Sequence, residues 1–339
     1  MKKTIQFIAL ITLCNFILIS CQNKMKKYEW LPTSNAPELY PTYIHDGHFY
    51  LEDGGSVYIP TSGTNHNGWG NDGSTHTQGE DLKALPVKLD ITWASYIENK
   101  FYTGSWEMPL DTLKKLFEKG TIAWRDGRVS NYSDIRVGCA PGGIVVVWVY
   151  GDDQQIEIAR FQATETHVAM KDLIPANPTL TFEEYFDVSK SVPEAYENLK
   201  KNGIQYDIWD IYRKKYNWRA RVEIPNHNLI NIGFNMFNGE EETLFSEKIK
   251  ENAFRPRAIP KILGFIFEDS KKVQTVFEVK DFDEEEIFSL FKQADASKPI
   301  EIVLRMNEDF SNRSLIFKQG DKEIPISKID FENMWKYEN

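Results

Sequence analysis

Val87-Lys88-Leu89-Asp90-Ile91-Thr92-Trp93 alternates apolar and polar residues without a break. Successive side chains of a strand point to opposite faces, so Val87, Leu89, Ile91 and Trp93 share one face and Lys88, Asp90 and Thr92 the other, as in a half-buried β-strand. Downstream, a turn at Glu98-Asn99-Lys100 leads to a second strand at 101–106. Asp111 then caps a helix carrying Leu113, Leu116 and Phe117 that Gly120 closes. Residues 144–150 are apolar throughout, which fits a strand covered on both faces, and Gly151-Asp152-Asp153 turns it into a partner bearing Ile156 and Ile158. The order recurs later in the chain: strands at 262–267 and 273–279, a helix at 283–294, strands at 300–304 and 314–317, and Gly320-Asp321-Lys322 leading to Ile324 and Ile326. Residues 87–161 and 262–326 therefore read as two related β-β-α-β-β units. The fold class expected is α+β, with largely antiparallel sheets and a few helices.

Between the units the pattern becomes helical. Thr181/Glu184 and Ser191/Glu194 have the spacing of capping boxes, and Gly203 is a stop. Tyr206, Trp209, Arg213 and Tyr216 recur at helical spacing, which is assigned to packing on a core. A boundary is expected near residue 178, giving a β-rich domain at 30–178 and an α+β domain at 179–339. Upstream of the first unit, residues 61–81 form a long loop dense in Gly, Asn, Ser and Thr, expected to be mobile or held by a partner. Trp69 in that loop is the tryptophan expected to be exposed, as an anchor for a partner.

At the N-terminus, Lys2 and Lys3 precede an apolar run from Ile5 to Ile19 that ends at Leu18-Ile19-Ser20-Cys21. About 15 apolar residues fall short of the ~20 needed to cross hydrocarbon, so the segment reads as a secretory signal. Its ending resembles a bacterial lipobox, which implies cleavage before Cys21, acylation of that thiol, and a tether at 21–29. Removing residues 1–20 takes two lysines away and moves the net charge from −10 to −12. An acidic chain whose Lys/Arg runs are short is a poor partner for phosphate backbones, so no nucleic acid is expected. Of three cysteines, Cys14 leaves with the signal and Cys21 is acylated. Cys139 is left without a partner, and no disulfide framework exists; it reads as a small buried apolar residue.

Candidate chemistry is sparse. No Gly-x-Ser-x-Gly occurs for a serine nucleophile. His45-Asp46-Gly47-His48, His66, Asp72, His76 and Glu80 supply metal donors, but zinc ligands come at tighter spacings on ordered elements, so solvated histidines are expected, with neither metal nor cofactor. Gly138-Cys139-Ala140-Pro141-Gly142-Gly143 is more pointed. Paired glycines after a proline permit positive φ just before a buried strand, which reads first as a bulge or tight entry turn and second as a surface a ligand approaches. Candidate binding residues are therefore Trp69, His66, His76, Pro141, Gly142 and Gly143, and no catalytic residue is assigned.

Several of these features together carry a family resemblance. They are Pro37, Tyr40 and Pro41; Leu85-Pro86 ahead of Ile91, Trp93 and Ser95; Glu98, Lys100 and Tyr102; and Gly138-x-Ala140-Pro141-Gly142-Gly143 ahead of Trp148. The chain resembles the lipoprotein family catalogued as domain of unknown function 2931 over most of residues 30–161. Members of that family often accompany type VI secretion phospholipase effectors. The resemblance implies a non-enzymatic immunity lipoprotein, held by lipid on Cys21 in the envelope, in the outer membrane facing the periplasm, with a lipase effector as partner. An envelope glycan- or peptide-binding accessory lipoprotein, stacking its ligand on Trp69, Tyr40 and Tyr43, is the alternative.

Overall fold

The computed structural model describes residues 25–177, 179–280, 282–329, 331 and 334–337. The signal segment and Cys21 lie outside them, as does Pro178, where the sequence places a boundary.

The first half contains β1 (Tyr28–Glu29), β2 (Leu31–Asn35), β3 (Thr42–Leu51), β4 (Ser56–Tyr58), β5 (Leu82–Lys83), β6 (Pro86–Ser95) and β7 (Lys100–Glu107). It continues with the helix Leu110–Lys119, then β8 (Thr121–Ile122), β9 (Val129–Ser130), β10 (Asp134–Ala140), β11 (Ile144–Gly151), β12 (Gln154–Gln162) and β13 (Thr164–Thr166). The second half contains β14 (Tyr216–Glu223), β15 (Asn228–Met236), β16 (Glu241–Phe245), β17 (Arg255–Arg257), β18 (Pro260–Glu268) and β19 (Gln274–Val279). The helix Glu284–Gln293, β20 (Ile300–Met306), β21 (Arg313–Gln319), β22 (Lys322–Ile326) and β23 (Met334–Tyr337) complete it.

Strand pairing shows the repeat, and it is longer than the alternation suggests. In the first half β2 runs parallel to β10, followed by antiparallel β11 and β12. In the second, β14 runs parallel to β20, followed by antiparallel β21 and β22. The facing sheets correspond as well, β13-β7-β6-β3-β4 matching β23-β19-β18-β15-β16. Each half is a two-sheet sandwich. Leu89, Ile91 and Trp93 of β6 meet Val137 and Cys139 of β10 and Val145 and Val147 of β11 in one core. Leu263, Phe265 and Phe267 of β18 meet Ile302 and Leu315 in the other. A residue-level signature accompanies this. Trp30 Nε1 donates to the Ala84 carbonyl at 3.3 Å and Trp218 Nε1 to the Ala258 carbonyl at 3.0 Å, ahead of Leu85-Pro86 and Ile259-Pro260. Both tryptophans are fully buried, where an unpaired indole N–H would be costly.

The halves join edge to edge. Sheet β2-β10-β11-β12 continues through β16-β15-β18-β19-β23 as one nine-stranded sheet, with Gln155 opposite Glu241 at the seam. Gly70 and Gly239 close the seam: a Cβ on Gly70 would stand 2.7 Å from Gly239 Cα. Trp148 Nε1 donates across it to the Asn238 carbonyl at 3.1 Å, and Gln155 Nε2 to the carbonyls of Gly70 and Gly239.

Helices Met170–Leu173, Phe182–Tyr185, Pro193–Asn202 and Ile208–Tyr212 bridge the halves in sequence and pack on the first. Val192, Ala195 and Trp209 cover Ile144, Val146 and Trp148, while Leu173 and Phe186 cover Ala94 and Phe101. β11 is thus buried on both faces. Trp93 and Trp148 are both fully buried, but on opposite sheets, Trp93 between them and Trp148 under the helices.

Of the expected caps, Thr181/Glu184 forms a capping box. Ser191/Glu194 does not, because the helix starts at Pro193 with Val192 as N-cap. Asp111 lies in its helix's first turn and Pro109 takes the cap position.

Candidate functional site

The features far apart in sequence meet at one carboxylate. β6 ends at Ser95, a single 3₁₀ turn carries Tyr96–Glu98, and Asn99 reverses the chain at φ 53° into β7. That geometry folds Glu98 back over Ser95, whose Oγ donates to it at 2.7 Å, and Tyr102 OH donates at 2.8 Å. The Gly142 N–H reaches both carboxylate oxygens at 3.2 Å from the β10–β11 turn. On its other side the Gly142 carbonyl accepts from Gln162 Nε2 at 2.6 Å. Burial, then the bond to Glu98, pushes the Tyr102 phenol far up, so it stays a donor at any ordinary pH.

The turn needs its glycines. Gly142 and Gly143 sit at φ 79° and 75°, and a Cβ on Gly143 would stand 2.8 Å from the Ala163 carbonyl oxygen. Pro141-Gly142-Gly143 is therefore a rigid turn clamped between Glu98 and Gln162. A Cβ on Gly142 would touch the Tyr206 ring at 3.2 Å.

Tyr206 begins an apolar surface. It is 49% exposed and Ile211 50%; with Ile204, Ile208, Tyr216 and Phe288 they line an open groove of about 1210 Å³ between the helices Ile208–Tyr212 and Glu284–Gln293. The far rim is charged, with Glu284 and Glu285 beside Lys292; Glu284 accepts from Tyr212 OH at 3.0 Å, and burial raises its carboxyl pKa. The helical stripe thus divides. Trp209 is buried packing as expected, but Tyr206 faces solvent.

The glycine-rich loop departs from its expectation. Gly73 N–H donates to Thr33 Oγ1 at 2.9 Å, Asn65 Nδ2 to Ser34 Oγ at 3.0 Å and Gly70 N–H to Asn35 Oδ1 at 3.0 Å, so three consecutive side chains of β2 splint the loop. Trp69 is correspondingly not a free anchor. Its ring sits edge-on to Trp148 at 5.0 Å and against Trp209 at 5.3 Å. Tyr40 packs on Trp209 at 5.4 Å and is buried, and Tyr43 packs against the cluster under Phe186. None of these three is a stacking platform.

His66 and His76 are exposed. His76 lies 3.5 Å from Ser62 Oγ and against Tyr58. Among the described residues no group of three His, Cys, Asp or Glu is placed to hold a metal. Cys139 is fully buried in β10, and burial pushes its thiol pKa far up, which removes the thiolate that reactivity requires. No helix of the described residues is long and apolar enough to cross a membrane.

Sequence reading missed Tyr206 and Ile211 as surface residues. Their spacing is that of any packed helix, and only the turn at 141–143 and the helix at 284–293, both remote in sequence, leave them uncovered.

No curated protein and no solved structure matches this chain. Residues 20–207 match the family model described as "Protein of unknown function (DUF2931)". That is more than half of the chain, and it contains Glu98, the 141–143 turn and Tyr206; the chain belongs to this family.

Proposed function

We propose that this member of the DUF2931 family is a non-enzymatic, lipid-anchored envelope protein that binds and occludes a secreted lipase effector. One observation carries the binding role: a rigid, clamped turn beside a groove floored by half-exposed Tyr206 and Ile211. Contiguous exposed apolar surface rimmed by polar groups is what a protein partner covers. A lipase supplies a matching surface, since the mouth of a site that admits acyl chains is itself apolar.

Lipid on Cys21 supports this reading, because it tethers the protein at the membrane on which such an enzyme works. Seven residue steps separate Cys21 from Tyr28, the start of β1, and fully extended they reach about 25 Å. Confinement that close to the membrane raises the inhibitor's effective concentration there.

The experiment is protection of cells against a lipase effector encoded beside the gene. Cys21→Ser should abolish fatty-acid labelling and lower protection. With the anchor intact, Tyr206→Asp combined with Ile211→Asp should abolish co-purification with the effector while leaving the melting temperature unchanged. Full protection by the double variant, or lipid hydrolysis by the purified protein alone, overturns the reading. The glycan- or peptide-binding alternative loses its original support, because Trp69, Tyr40 and Tyr43 point inward.

A further inference from the structure

On the outward face of the second half's inner sheet, Gly233 of β15 lies directly opposite Gly264 of β18. Thr243 flanks Gly233 on one side and Glu278 flanks Gly264 on the other. The fold does not require these glycines. Neither has positive φ, the irregularities of β15 fall at 229–231 and 235–236, and a Cβ at either position meets nothing within 4 Å. Each weakens its strand relative to alanine.

The repeat supplies an internal control. Leu89, Ile91 and Trp93 of β6 correspond to Leu263, Phe265 and Phe267 of β18, so Asp90 stands where Gly264 stands, and Asp90 is paired with His48. There the same face is filled: Lys88 Nζ binds Asp90 at 2.9 Å, and His48 lies 3.2 Å from Asp46. Only the second copy leaves the floor bare. Strand glycines that serve no bulge often mark a place where a ligand or another backbone approaches closely, and here no backbone does.

The bare floor is the base of a trough of about 220 Å³, walled by Trp124 from the first half and by Asn231, Asn235, Glu241 and Glu278. That is below the ~300–1,000 Å³ of pockets for drug-sized ligands, so it suits a single ring. Asn231 is only 5% exposed, and its Nδ2 has no hydrogen-bond partner, a donor whose burial is costly until an acceptor arrives. Glu278 already holds Lys280 Nζ at 2.7 Å and Asn235 bonds Glu241, whose carboxyl pKa burial raises, so it is the remaining lone pairs of these two groups that face an occupant's donors. The occupant must therefore accept from Asn231 and donate to carboxylates. A bare cation cannot do the first and an anion cannot do the second. A peptide adding as a strand needs a sheet edge, whereas this is a face whose backbone bonds are spent in the ladder.

We propose that this trough binds a neutral sugar ring, hydroxyls toward Asn231, Glu241 and Glu278 and its flat face between the glycine floor and Trp124. This site is separate from the Tyr206 groove and does not rest on the lipase reading. The full chain, extracted in detergent, is titrated with methyl glycosides of glucose, galactose, mannose and N-acetylglucosamine and with a neutral tetrapeptide. Saturation-transfer NMR and tryptophan fluorescence report binding. At least one glycoside should bind. Gly264→Val should weaken it by about ten-fold or more, equivalent to ~1.4 kcal/mol, while the melting temperature holds or rises. Trp124→Ala, which leaves the strands untouched, should weaken it comparably and is the second variant if Gly264→Val does not fold. Binding of the peptide alone, no binding of any glycoside, or glycoside affinity unchanged in a folded variant overturns the proposal.

Discussion

Trp148 spends its indole on two jobs. The ring fills the space between β11 and the covering helices, touching Trp69, and its N–H is taken by Asn238 in the other half. Trp148→Ala removes both, and a fully buried large-to-small change of this kind costs on the order of 3–5 kcal/mol. The midpoint of chemical denaturation measures it. Trp69 is expected to matter as well: held between two tryptophans, edge-on to Trp148 and tilted against Trp209, its loss should cost about 2 kcal/mol or more, whereas a solvent-facing loop residue stays within about 0.5 kcal/mol. A Trp69→Ala melt that overlays the parent's would restore the exposed-loop view. Composition suggested that view because it registers only the loop's own side chains. What immobilises the loop is Thr33, Ser34 and Asn35 of β2, far upstream, and no local signal in 61–81 announces them.

At the scale of single elements, alternation was a faithful guide. Val87 to Trp93 became β6 and the apolar run at 144–150 became a strand buried on both faces. Caps were less legible, since Ser191 and Asp111 have the right chemistry but Pro193 and Pro109 fix where their helices begin. The outer face of β14-β20-β21-β22 adds a feature that no local pattern reveals, a lattice in which Arg305 binds Glu223 at 2.6 Å and Lys318 binds Glu323 at 2.8 Å. Hydrogen bonding from Lys318, then from Arg305, holds the Glu323 carboxyl down to about 2. A carboxyl whose pKa is lowered by folding adds stability above its unfolded value and loses it as pH falls toward the folded one. Glu323→Gln should therefore destabilise the protein at neutral pH, and the gap from the parent should close between about pH 4.5 and pH 2. Thermal melts across that range test it; a gap constant with pH would dissociate Glu323 from the lattice.

Across the whole molecule, the repeat was half visible from the recurring strand and helix order. Its stronger mark, a buried Trp bonded to the alanine of Ala-Leu-Pro or Ala-Ile-Pro, lay in plain sequence at unequal spacings, and only strand pairing aligns it. The two cores meet at one strand pair, beside which Thr243 Oγ1 donates to the Asp153 carbonyl and Tyr212 packs on Phe237 and Phe288, so cooperativity depends on how closely that seam packs. Gly70→Ala puts a Cβ against Gly239 at φ 81°, which should cost about 1–3 kcal/mol. Calorimetry should then show a broadened or split endotherm where the parent has one, and a single sharp transition at the parent's temperature would refute the dependence. The seam has a further consequence. It joins two different edges, β12 of one copy to β16 of the next. Their counterparts, β22 and β4, are outer strands of the two five-stranded sheets. A head-to-tail joint of this kind does not close on itself, and left unguarded it propagates from molecule to molecule as a fibre. Both edges are stopped. β22 carries Pro325 and the charged Lys322 and Glu323 on its rim, the residues that blunt a strand edge. β4 is three residues long, and Gln78 of the splinted loop occupies its Tyr58 N–H at 2.8 Å. A joint between unlike edges thus carries the means of its own endless extension, and a proline on one outer strand and a glutamine against the other are what block it.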